Sequence, residues 1–279
     1  HVFSPYIALM KLRVVELLLV TTLPALFLAA DGIPPLDVTL ATIFGGTLAA
    51  GAANAFNMVI ESDIDKMMER TSKRPIVNEQ VTETQALTFA FAISALSLTI
   101  FWLFTNPLAT GLTVSAIAFY VFGYTVGLKR RTSQNIVWGG IAGCLPVLIG
   151  WAAVTGSLSW SAFWFFMVIF FWTPPHFWAL AIKYKDDYEA AGIPMLPVVA
   201  PIRKVSQQMW FHTIAMIITS FLTLYSAGLA AWTYVVTAII GIGFAYQLRD
   251  PEKNSGPIFH GSITYLSLYS IMLVVGVFI

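Results

Sequence analysis

The run Asn57-Met-Val-Ile-Glu61-Ser-Asp63-Ile-Asp65-Lys-Met-Met-Glu69-Arg70-Thr-Ser-Lys73-Arg74-Pro75 closes an uncharged, largely apolar segment that begins near Val38. That segment is long enough to cross a hydrocarbon core, which takes about 20 helical residues. In lipid every backbone polar group must be paired within the protein, and no alternating barrel pattern appears, so the element is a helix. The quoted run is then the place where a membrane helix emerges. Asn57, Glu61 and Asp65 are spaced i, i+4, i+8, so on a helix they share one face over a rise of about 12 Å. Carboxylates close to hydrocarbon are costly and point to function. Their oxygen atoms suit a hard cation such as Mg2+, which binds through one or two carboxylates plus substrate phosphates. Arg70, Lys73 and Arg74 follow with donors that fit phosphate oxygens. A solvated helix end of mixed charge is the plainer reading, but it leaves the one-face spacing unexplained.

The rest of the chain agrees with a membrane setting. Of its residues 58% are hydrophobic and only 10% charged, and the mean hydropathy is +0.78; this is the composition of an all-α, polytopic membrane protein. The formal net charge of +1 says nothing about nucleic acid, there is no basic tail, and no nucleic-acid partner is expected. The one cysteine, Cys144, sits in an apolar stretch, so there is no disulfide framework. Because the chain begins at His1 rather than Met, some N-terminal sequence is expected to be missing, and the first apolar segment is read as a retained helix rather than a signal peptide. Segments of spanning length occur near 12–30, 38–60, 84–105, 107–127, 136–155, 158–182, 209–228, 229–248 and 259–279, predicting nine transmembrane helices in a single domain over residues 1–279. The uncharged stretch from Phe211 to Tyr246 is too long for one span and is divided at Ser226-Ala227-Gly228.

Charge gives the orientation. All 15 Lys and Arg residues lie at the start of the first span (Lys11 and Arg13) or in the connections after spans two, four, six and eight. The other connections carry none. This places the N-terminus and all candidate catalytic groups on the cytoplasmic side, and the C-terminus opposite. After span four comes Leu128-Lys129-Arg130-Arg131-Thr-Ser-Gln-Asn135, which by itself reads as a topology signal. Span six contains Trp172-Thr-Pro174-Pro175-His176-Phe177-Trp178, where paired prolines predict a break or kink. It runs on into Lys183-Tyr184-Lys185-Asp186-Asp187-Tyr188, in which Lys183 and Asp187 are again i, i+4.

Together these motifs resemble the membrane prenyltransferases of the UbiA type. The resemblance rests on Asn57…Glu61…Asp63-Ile-Asp65…Arg70…Arg74-Pro75, on the Lys129-Arg130-Arg131 run, and on Pro175-His176-Phe177-Trp178. It also takes in Asp187-Tyr188 with Ile193-Pro194-Met-Leu-Pro197, and Phe259-His260-Gly-Ser-Ile-Thr-Tyr265, so it covers nearly the whole chain. It implies nine helices around a central cavity that opens to the cytoplasm under cap segments after spans two and six. Many members have Asp where this chain has Glu61, and the quinone-pathway members carry a second Asp-x-x-x-Asp where this chain begins with Lys183. The second departure favours the branch whose acceptor is haem.

What the resemblance implies is a Mg2+-dependent transfer of farnesyl from farnesyl diphosphate to a vinyl group of haem B, with water added, giving haem O. Asn57, Glu61 and Asp65 would hold the metal, with Asp187 at a second metal or beside Lys183. Arg70, Lys73, Arg74, Lys129 and Arg130 would face the diphosphate, and Lys183 would serve it as a point charge. His176 is the candidate axial ligand for haem, ahead of His212 and His260. The membrane is a bacterial-type cell membrane or an organelle inner membrane, and haem A synthase or terminal oxidase assembly are the expected protein partners. One rival keeps the reaction with an aromatic quinone precursor as acceptor. Another is an ion-coupled transporter, but transporters place such carboxylates near the midplane, whereas here they lie at one face among basic residues.

Overall fold

The computed structural model describes residues 4–10, 14–62, 76, 81–129 and 131–279. Among the described residues every regular element is helical: α1 (Ser4–Met10), α2 (Val14–Ala30), α3 (Leu36–Ile60), α4 (Glu83–Phe104), α5 (Pro107–Ala118), α6 (Asn135–Thr155), α7 (Trp160–Lys183), α8 (Lys185–Ala190), α9 (Leu196–Val199), α10 (Ile202–Ala227), α11 (Ala231–Gln247) and α12 (Ser255–Phe278). Helix α5 continues as π-helical turns over Phe119–Leu128. Six helices, α3, α4, α6, α7, α10 and α12, are long and apolar enough to cross a membrane. Shorter apolar helices at Leu17–Ala30, Pro107–Gly123 and Ala231–Gln247 stand where the sequence places the other three spans.

Local chemistry explains the boundaries. Thr82 and Gln85 form a reciprocal capping box at the start of α4, with bonds of 3.0 and 3.1 Å. Asn106 caps α5 through the Ala109 N–H at 2.9 Å. The division expected at Ser226-Ala227-Gly228 is real: α10 ends at Ala227, and Gly228 takes φ +67° as its left-handed cap. Helices α10 and α12 begin earlier than their apolar windows, because hydropathy marks the lipid-facing length and a helix extends beyond it into polar residues.

Two expectations are corrected. The break that Pro174 and Pro175 allow does not occur: α7 is continuous through both. The prolines withhold the bonds that the Phe170 and Phe171 carbonyls would accept, yet both are buried where α7 packs against α6, α10 and α12, and that packing holds the helix. The helix carrying Asn57 ends at Ile60, with Glu61 as its cap. The shared face therefore runs from Asn57 in α3 to Glu61 at its C-terminal cap, and Asp65 lies outside the described residues.

Each long or apolar helix contacts the next in chain order, and α12 returns to α2, closing a ring. Large apolar side chains such as Phe44, Trp102, Ile242 and Ile271 face outward and are exposed, the inverse of a soluble core. Between helices, hydroxyls and small residues replace bulk. Ser97 donates to the Gly45 carbonyl at 2.6 Å, and Tyr269 donates to the Ser220 carbonyl at 2.8 Å. Such contacts join helices where the hydrophobic effect offers little.

Candidate active site

Inside the ring lies a cavity of about 440 Å3, lined by α2, α3, α5, α6 and α7 together with Tyr188 and Met195. The volume comes from missing side chains. Gly46, Ala50 and Ala53 line it from α3 at helical spacing, facing Gly139 and Gly143 of α6. A Cβ on Gly143 would meet nothing within 4 Å. The walls are mostly apolar, and Asn57 and Lys129 bring polar groups to the lining.

Asn57 is 2% exposed and Glu61, one turn on, 1%. The Glu61 N–H bonds the Asn57 carbonyl at 2.9 Å. From the π-helical turns, Thr125 donates its hydroxyl to Asn57 Oδ1 at 3.2 Å. Lys129 follows those turns and sets its ammonium 2.7 Å from both oxygens of Glu61. Asn135, fully buried at the head of α6, donates through Nδ2 to the Lys129 carbonyl at 2.9 Å. The result is a carboxylate and an ammonium in contact, held by anchored backbone on both sides.

Of the sequence-predicted residues, the structure brings together Asn57, Glu61 and Lys129. Asp65, Arg70, Lys73, Arg74 and Arg130 lie outside the described residues. Lys183 is exposed, its ammonium 5.6 Å from the centre of the Tyr184 ring. Asp187 is half-buried, and its Oδ2 is buried without a hydrogen-bond partner. Neither lines the cavity; their neighbour Tyr188 does. His176 is also absent from the lining, although Trp172, Thr173 and Phe177 around it belong to it. Its ring is stacked between Trp172 at 4.4 Å and Phe259 at 4.6 Å. His212 packs among Phe171, Trp178 and Phe211, and His260 is exposed.

Sequence reasoning gave no role to Thr125, Asn135, Tyr120 or Tyr188. Thr125 left no signal, since its partner is 68 positions away. Asn135 did leave one: an amide at the mouth of an apolar helix needs a partner there.

The donor set suits a hard divalent cation. Asn57 and Glu61 offer oxygen ligands one turn apart in a buried place. No three His, Cys, Asp or Glu residues come together among the described residues. Among the described residues, Asn57 and Glu61 are therefore the oxygen ligands on offer to a cation here.

Comparison with known proteins gives a consistent picture. The profile described as the UbiA prenyltransferase family matches residues 18–263. A protoheme IX farnesyltransferase of Frankia alni is 51% identical, covering 97% of this chain and 96% of its own. The protoheme IX farnesyltransferase of Renibacterium salmoninarum is 50% identical, over 98% and 89%. A solved digeranylgeranylglyceryl phosphate synthase superposes with a TM-score of 0.81 at 16% identity, covering 99% of this chain and 98% of that one. A UbiA homolog from Archaeoglobus fulgidus, bound to GPP and Mg2+, superposes with a TM-score of 0.69 at 16% identity, over 98% and 100%.

Proposed function

The chain belongs to the UbiA prenyltransferase family, and from that premise we propose that it transfers the farnesyl group of farnesyl diphosphate to a vinyl group of haem B, giving haem O and diphosphate. The observation that carries the acceptor is the identity of about half with protoheme IX farnesyltransferases over nearly the whole of both chains. The cavity supports the donor. The lining from Ile136 to Ile149 runs about 20 Å along α6, an apolar wall for an extended prenyl chain. A chain already in lipid enters it with little desolvation cost.

Asn57 and Glu61 would hold Mg2+, with Asp65 from the adjoining connection. When bound, the metal supplies charge neutralisation on the departing diphosphate. Lys129 presents its ammonium to the same oxygens, joined by Arg70, Lys73, Arg74 and Arg130 from the basic connections. As the allylic C–O bond breaks, its electron pair leaves on the diphosphate, and the vinyl π-electrons attack the prenyl carbon. The positive charge then lies beside the porphyrin, which delocalises it, and water adds to form the hydroxyl group, giving up its second proton to the released diphosphate or to bulk water. No residue is needed to deprotonate an acceptor, and the described lining offers no carboxylate for that task.

In this reading all nine apolar helices cross the bilayer, α8 and α9 cap the cytoplasmic mouth, and Lys183 and Asp187 act from that cap. The haem product would pass to haem A synthase or to terminal oxidase assembly. Release of diphosphate from farnesyl diphosphate by purified protein with Mg2+ tests the proposal. Release that depends on added haem B supports it, and release driven instead by a phenolic quinone precursor contradicts it.

A further inference from the structure

The pair formed by Glu61 and Lys129 joins a residue suited to a metal with one suited to diphosphate. Both oxygens of Glu61 face the ammonium at 2.7 Å, and the residue is 1% exposed. A cation approaching that carboxylate alone therefore meets an ammonium already seated on it. Diphosphate approaching Lys129 alone meets the carboxylate instead. Each ligand by itself encounters a like charge at contact range, where desolvated groups are poorly screened. Arriving together, the two replace one ion pair by two, carboxylate with cation and ammonium with diphosphate. Resting on the functional reading above, we infer that Lys129 holds the metal's place on Glu61, so that the pair opens only when divalent cation and diphosphate bind as a unit.

The surroundings suit such an exchange. Asn135 anchors the Lys129 carbonyl at 2.9 Å, and Thr125 fixes Asn57 Oδ1 at 3.2 Å. The backbone of the site stays in place while the flexible four-carbon lysine stem swings from one partner to the other. Lys129 is then a positioning residue before the ligands arrive and a diphosphate ligand afterwards.

The test uses the full chain in detergent with Mn2+ and inorganic pyrophosphate as probes, and binding rather than turnover as readout. For Lys129→Gln, Mn2+ alone is expected to bind about tenfold more tightly than to the unaltered protein. For Glu61→Gln, pyrophosphate alone is expected to gain by about tenfold while losing its dependence on Mn2+. Arg131→Gln removes an exposed charge from the same connection and should change either affinity by less than about twofold. Equal or weaker Mn2+ binding by Lys129→Gln overturns the inference, as does an Arg131→Gln protein that matches it. If the unaltered protein binds neither probe even when both are present, the functional reading itself fails. If it binds both together and the variants show no gain, only the exchange is refuted.

Discussion

His176 on α7 and Ser262 on α12 are joined by a hydrogen bond of 2.6 Å between Nδ1 and Oγ. Ser262 gives its own hydroxyl proton to the Phe259 carbonyl at 2.6 Å, so the imidazole is the donor and Nε2 is left with a lone pair. With Trp172 and Phe259 on its two faces, the ring lies off the cavity lining, in the contact between α7 and α12.

His176→Ala is accordingly expected to cost roughly 3 kcal/mol in lost packing and hydrogen bonding. A thermal melt in detergent should fall by roughly 5–10 °C, while the absorption spectrum of added haem stays as in the unaltered protein. A shifted haem spectrum with an unchanged melt would instead make Nε2 the axial ligand.

Glu61→Gln should keep the fold, since the amide retains the shape, and should lower turnover by roughly 100-fold or more. Raising Mg2+ should recover little of it. Steady-state rates across a Mg2+ series check this, and near-normal turnover at ordinary Mg2+ would remove Glu61 from the metal site.

Gly143→Leu addresses the cavity itself. A Cβ there meets nothing within 4 Å and Gly143 lines the cavity, so thermal stability should change little while farnesyl transfer drops by about tenfold or more. Geranyl diphosphate should be spared relative to farnesyl diphosphate. Equal loss with both donors would place the prenyl chain elsewhere.

Much of this architecture is legible in sequence because lipid imposes simple rules. Apolar length marks a helix, and Ser226-Ala227-Gly228 marks an end. Hydropathy does not report geometry within an apolar run, so it missed the π-helical turns that carry Thr125 to Asn57. Nor does it report which helices meet. Glu61 and Lys129 were each singled out, for metal and for phosphate, yet nothing local shows that residues 68 positions apart form one ion pair. Pro174-Pro175 misled for the same reason, because the packing that holds α7 together is long-range.

Orientation can be read with single cysteines in a Cys144→Ser background. Ser133, just before α6, should label only from the cytoplasmic side, and the exposed Ser157 after it only from the other. Labelling of both from one side would contradict a span by α6.

The central claim is the chemistry, and the mass of the porphyrin tests it most directly. Purified protein is incubated with farnesyl diphosphate, Mg2+ and haem B, and the porphyrin is weighed by mass spectrometry. The account predicts a product heavier than haem B by one farnesyl group and one hydroxyl, absent when Mg2+ is withheld. Haem recovered unaltered, with farnesyl found on an aromatic acceptor supplied beside it, would contradict it.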